Sequence, residues 1–152
     1  MLQRNRLRAL LQSAWLNPVT TGLCDRLNPL ESLGAMGERE AERFLLRHGY
    51  MILFRSFTNQ FGEIDLIVSD GESVVFVEVK TRSSDFAGRP DEAVDDRKQA
   101  QISRVAVAFL RQNELLDSPA RFDVISVDWD QQRAKIRHFE NAFELVGDYQ
   151  II

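Results

Sequence analysis

GEIDLIVSDGESVVFVEVK, residues 62–80, is two runs of β-branched and apolar residues about a Ser-Asp-Gly-Glu turn, with Glu63, Asp65, Glu78 and Lys80 set among core formers. Side chains alternate across a strand. Glu63, Asp65 and Ile67 therefore share one face, and Val74, Phe76, Glu78 and Lys80 share one face of the second run. A tight turn centred on Asp70 and Gly71 pairs Ile67 with Val74, Asp65 with Phe76 and Glu63 with Glu78. Paired residues point to the same side of a sheet with Cβ atoms about 4.5–5.5 Å apart, so these acids and the lysine converge on one patch. Such a patch is either a solvated face or a cation site. Because Ile67, Val74 and Phe76 lie on the same side, the charges occupy one end of a mostly apolar surface, where like carboxylates repel and lose hydration. A divalent cation resolves that conflict. Oxygen ligands from Asp and Glu suit Mg²⁺ or Mn²⁺, which keep positions open for water and phosphate oxygens. The chemistry within reach is phosphodiester hydrolysis, in which a metal activates water and an ammonium faces the developing negative charge.

Upstream, GEREAERFLLRHG, residues 37–49, reads as an amphipathic helix with Ala41, Phe44, Leu45 and His48 inward, Glu40, Arg43 and Arg47 outward, and Gly49 as the stop. YMILFRSF follows as a strand ahead of the hairpin. Beyond the loop SSDFAGRPDEA, a second helix is predicted from about Ala93 to Arg111, with Ile102, Val105, Ala106, Phe109 and Leu110 as its stripe. After Ser118 and Pro119, RFDVISVDW and AKIRHF read as two more strands. The order helix, three strands, helix, two strands predicts an α/β fold, a mixed five-stranded sheet flanked by helices, over residues 34–152. Residues 1–33 carry Pro18, Gly22 and Pro29 with no sustained period and read as a basic, loosely ordered leader: a short helix, then loop.

The chain's 152 residues make one ordinary domain. A net charge of -4 and a pI near 5.2 argue against coating nucleic acid by bulk electrostatics, but leave room for a local arginine patch. No apolar run approaches the roughly 18 residues of a membrane helix, and the first residues lack the cleavage site of an export signal. No membrane partner is expected, and the lone Cys24, unable to form an internal disulfide, is consistent with a cytoplasmic location. His48 and His138 have no zinc-ligand spacing, and neither a glycine-rich phosphate loop nor a serine nucleophile motif occurs.

Asp65 followed by Glu78-Val79-Lys80 resembles the D…ExK signature of the restriction-endonuclease-like (PD-(D/E)xK) superfamily. The strings GEREAERFL, GEIDLIV, VFVEVKTRS, AVDDRKQAQI and RFDV, within roughly residues 34–143, resemble the YraN-like family of small bacterial proteins, similar by pattern to archaeal Holliday-junction resolvases. That resemblance implies a restriction-endonuclease-like fold and a metal-dependent endonuclease acting on DNA, branched or single-stranded. The alternatives are a nucleic-acid-binding module with the nuclease fold but little or no catalysis, and an interaction protein whose hairpin charges are an ion-pair cluster. The resemblance makes Asp65 and Glu78 ligands of Mg²⁺ or Mn²⁺, the Val79 carbonyl a third, and Lys80 the catalytic lysine, with Glu38 as the carboxylate of the leading helix. Glu38 is otherwise a glutamate favoured by the helix N-terminal dipole. Glu63 either binds a second ion or a water, or flanks the site. Lys98 and Gln99, on the inward side of the second helix, are candidates for phosphate contact or for helix-end contacts. Arg82, with Arg89, Arg97 and Arg104, is a candidate for a basic surface toward nucleic acid. A homodimer is consistent with two cuts needing two sites. Ile64 stands where the superfamily commonly has proline.

Overall fold

The computed structural model describes residues 2–16, 31–83 and 94–149. In chain order the elements are α1 (Leu2–Leu16), α2 (Leu33–Arg47), β1 (Met51–Asn59), β2 (Gly62–Ser69), β3 (Val74–Ser83), α3 (Asp96–Gln112), β4 (Ala120–Asp130) and β5 (Arg133–Phe143). The strands form one mixed sheet in the order β1-β2-β3-β4-β5. β3 and β4 are parallel, and the other neighbours are antiparallel. A parallel pair needs a long crossover, which α3 supplies.

Both faces of the sheet are covered. On one, Ile67, Val74, Phe76 and Phe122 pack with Ile102, Val105 and Phe109 of α3; on the other, Leu66, Val68, Val75, Val77, Ile125 and Val127 pack with Ala41 and Leu45 of α2. This double burial is why β3 and β4 read as nearly continuous apolar runs. The leader contains α1, whose Leu7 is buried in the α3-side cluster and whose Arg6 pairs with Glu114 at 2.6 Å. The loop expected after that helix, residues 17–30, lies outside the described residues.

Both domain helices begin at a side-chain cap. Ser32 Oγ accepts the Ala35 N–H at 3.2 Å, and Asp95 Oδ1 accepts the Lys98 N–H at 2.8 Å, so α3 starts at Asp96 rather than near Ala93. The expected α3 stripe is buried throughout. His48 departs from expectation. It caps the C-terminus of α2, beyond the last helical turn, and is exposed.

The hairpin register also differs from that of a tight turn. β2 and β3 pair Ser69 with Val74, Val68 with Val75, Ile67 with Phe76 and Leu66 with Val77. The cause is local: Asp70 Oδ1 accepts the N–H groups of Glu72 (2.9 Å) and Ser73 (2.7 Å), which takes both residues out of the ladder and into the loop. A shift of two residues preserves the alternation of faces. It changes the partner, however: Asp65, not Glu63, falls on register with Glu78. A second departure is Ile64, which joins the α3-side cluster although Leu66 and Val68 face α2. β2 turns over there, opposite the point where β1 carries Ser56 at φ 45°.

Candidate active site

β2 and β3 remain paired only to Leu66 and Val77. Beyond that point the Val79 N–H has lost its strand partner, and Asp65 Oδ2 accepts it at 2.7 Å. The parting of the strands thus aims Asp65 at β3. Glu78, 6% exposed, lies in the same place. Its Oε1 is 3.4 Å from Lys80 Nζ and 3.3 Å from Lys98 Nζ, the latter arriving from the first turn of α3. Its Oε2 is buried without a hydrogen-bond partner, a condition that ordinarily costs about 1–3 kcal/mol or more for a charged group.

Glu38 comes from the other side of the sheet. Gly37 allows it: a Cβ there would lie 1.7 Å from Thr81 Oγ1 and 2.8 Å from Thr81 Cβ, so only glycine lets the first turns of α2 rest on β3 one residue past Lys80. Electrostatics reports the resulting proximity. Burial, and then the Glu78 charge, push the Asp65 carboxyl up to about 7, against the Val79 hydrogen bond; Glu38 adds to the rise and Lys98 opposes it. Glu38 is itself raised by burial and by Glu63 and Glu78.

The structure therefore brings Glu38, Asp65, Glu78, Lys80 and Lys98 together at the end of the sheet where β2 and β3 diverge. Glu63 is exposed, and its Oε2 accepts the Thr58 hydroxyl across β1 at 3.4 Å. Gln99 uses its amide nitrogen on the Val94 carbonyl at 2.9 Å, a helix-end contact. Arg82 is half-buried on β3, in register with Asp128, and Arg89 lies outside the described residues. Among the described residues no group of three or more Asp, Glu, His or Cys side chains is placed to hold a metal ion.

A second charged cluster escaped the sequence reading. Asp123, fully buried on the α2 side of β4, lies 2.8 Å from His138 Nε2 and accepts from Arg121 at 3.0 and 3.2 Å and from the Asn141 N–H at 2.9 Å. Arg121 also donates to Asp70 at 2.6 Å and to the Tyr50 hydroxyl at 2.8 Å. Burial pushes the Asp123 carboxyl up, yet these donors more than reverse it and hold the group below the usual carboxylate range. The network ties the hairpin loop to Tyr50, just ahead of β1, and to β4 and β5. Its signal in the sequence was an aspartate in the apolar run RFDVISV.

Fold and site together define an α/β protein with a carboxylate–lysine cluster where two central strands part. Residues 37–127 match the model of the uncharacterised protein family UPF0102, and the chain belongs to that family. A UPF0102 protein of Geobacter metallireducens is 50% identical over 115 residues, covering 76% of this chain and 94% of its own length. One from Geotalea uraniireducens is 44% identical over 116 residues, covering 76% and 91%. Among solved structures, Pyrococcus furiosus SfsA in complex with Ca²⁺ aligns over 68% of this chain and 60% of that one, at 15% identity and a TM-score of 0.34, a likeness too slight to bear on the fold. Among the described residues no helix is long and apolar enough to cross a membrane.

Proposed function

We propose that the chain is a metal-dependent endonuclease of restriction-endonuclease-like fold that hydrolyses phosphodiester bonds in DNA. The single observation that carries this reading is the Asp65–Glu78 pair: two acids converging beside two lysines, one carboxyl raised to about 7 and the other with a buried oxygen lacking a partner. Those features fit a divalent cation, because Mg²⁺ is commonly held by one or two carboxylates, with waters and substrate phosphate oxygens completing its shell. Asp65 and Glu78 would hold it, with the Val79 carbonyl beside them. When bound, Mg²⁺ or Mn²⁺ lowers the pKa of water and offsets charge on the phosphate.

The chain's own residues do the rest. Lys80 presents an ammonium to the non-bridging phosphate oxygens as charge builds on them. Lys98 approaches Glu78 from α3 and holds its Oε1 in place. Glu38, with its raised pKa, accepts a proton from the attacking water more readily than an ordinary glutamate. Incubation with four-way junction, forked and single-stranded DNA, in Mg²⁺ or chelator, tests the reading: Mg²⁺-dependent cleavage is expected, absent in Asp65→Ala and Lys80→Ala. Cleavage that survives both substitutions would place the chemistry elsewhere. The two lysines already on Glu78 favour the second reading, a nucleic-acid-binding module with little or no catalysis, whose mark is binding without cleavage.

A further inference from the structure

Resting on that reading, we propose that the nucleic-acid backbone is held along the outer face of α3 by a stripe of arginines, Arg97, Arg104 and Arg111. The three stand seven residues apart, two helical turns at a time, and so share one face over about 21 Å at about 1.5 Å per residue. All three are exposed. Gln101 lies between the first two, and with Asp95, Arg97, Lys98 and Arg104 it lines an open groove of about 290 Å³.

Among the described residues no ion pair neutralises this stripe. On α2, by contrast, Arg39 pairs with Glu31, and Arg43 with Glu40 at 2.8 Å. In a chain of net charge -4, three exposed guanidiniums on one helix face make a local positive track. The track begins at the site, because Lys98, beside Arg97, reaches Glu78. A phosphodiester backbone, with its regular negative charge, is the partner that such a track complements. Arginine also offers phosphate a bidentate fork.

The test is a salt titration of binding to fluorescein-labelled 20-mer single-stranded and 20-base-pair DNA, in chelator so that cleavage does not intervene. Three phosphate contacts give a slope of log K against log salt of about -2.7 on duplex and about -2.1 on single strands, so going from 50 to 200 mM salt should weaken duplex binding about 40-fold through these contacts alone. Arg97→Gln with Arg104→Gln and Arg111→Gln should flatten the slope by those amounts. Arg104→Gln alone should flatten it by about one third as much, and Arg39→Gln should leave it unchanged. Exposed positions keep the variants folded, which circular dichroism verifies. An unchanged slope in the triple variant, while wild type still cleaves in Mg²⁺, overturns the stripe and spares the active-site reading. Wild type that neither binds nor cleaves overturns both.

Discussion

Asp65→Asn should stabilise the metal-free protein at pH 8 and have little effect near pH 4. The folded chain holds the Asp65 carboxyl at about 7 against an ordinary value of 3.8, chiefly through burial and the neighbouring Glu78 charge. Below 3.8 both states keep the proton and its energetic effect is nil. Between 3.8 and about 7 the unfolded chain releases a proton that the folded chain retains, so stability falls as pH rises; above 7 the loss is complete. At about 1.4 kcal/mol per pH unit the full loss is about 4 kcal/mol. Asparagine keeps an acceptor for the Val79 N–H and has no proton to lose, but it buries an amide NH₂, and water reaches the half-buried position; the expected gain is about 2 kcal/mol. Urea denaturation in chelator at pH 4.5 and pH 8 measures it. A variant less stable than wild type at pH 8, or a difference that does not grow with pH, would show that Asp65 does not carry this electrostatic load. The same substitution should abolish Mg²⁺-dependent cleavage, so stability and activity move in opposite directions.

Calorimetric Mg²⁺ binding should be tighter at pH 8 than at pH 6, since Asp65 must lose its proton to bind, and Glu78→Gln should weaken it at both; equal affinity at the two pH values counts against Asp65 as a ligand. Gly37→Ala should lower Tm despite alanine's roughly 1 kcal/mol advantage in helix propensity, because its Cβ collides with Thr81, for an overpacking cost of about 1–3 kcal/mol. Adding Thr81→Gly should recover part of that cost in a double-mutant cycle, and additive losses would refute the contact. Asp123→Asn should cost about 1–3 kcal/mol at pH 7, because the amide lacks the charge that half-buried Arg121 and His138 face and turns an NH₂ toward one of their donors. Because the Asp123 pKa is lowered, its contribution is present above 3.8 and disappears as pH falls through the folded value, so the cost in urea denaturation should shrink in acid.

Much of this architecture follows from residues close together in the chain. Alternation of apolar and charged residues over 62–80 was enough to put Asp65, Glu78 and Lys80 on one side of a hairpin, and a two-residue slip of register left that parity intact. Helical spacing likewise sufficed for the buried stripe of α3 and for Ala41 and Leu45 of α2, though not for His48, which lies past the last turn. The sequence by itself thus determined the elements, most of their inward faces and the pair Asp65 and Glu78, because each is written in periods of two or 3.6 residues. Only the tertiary structure decided which acids meet. The Asp70 side chain sets the loop length, the parting of β2 from β3 turns Asp65 onto the Val79 amide, and the crossover through α3 delivers Lys98 to Glu78 while leaving Glu63 in solvent. The Asp123 network was hidden for the same reason: beyond Arg121 on the same strand, its members come from Tyr50, the hairpin loop and β5, and no local period encodes a contact between residues 15 to 71 positions apart.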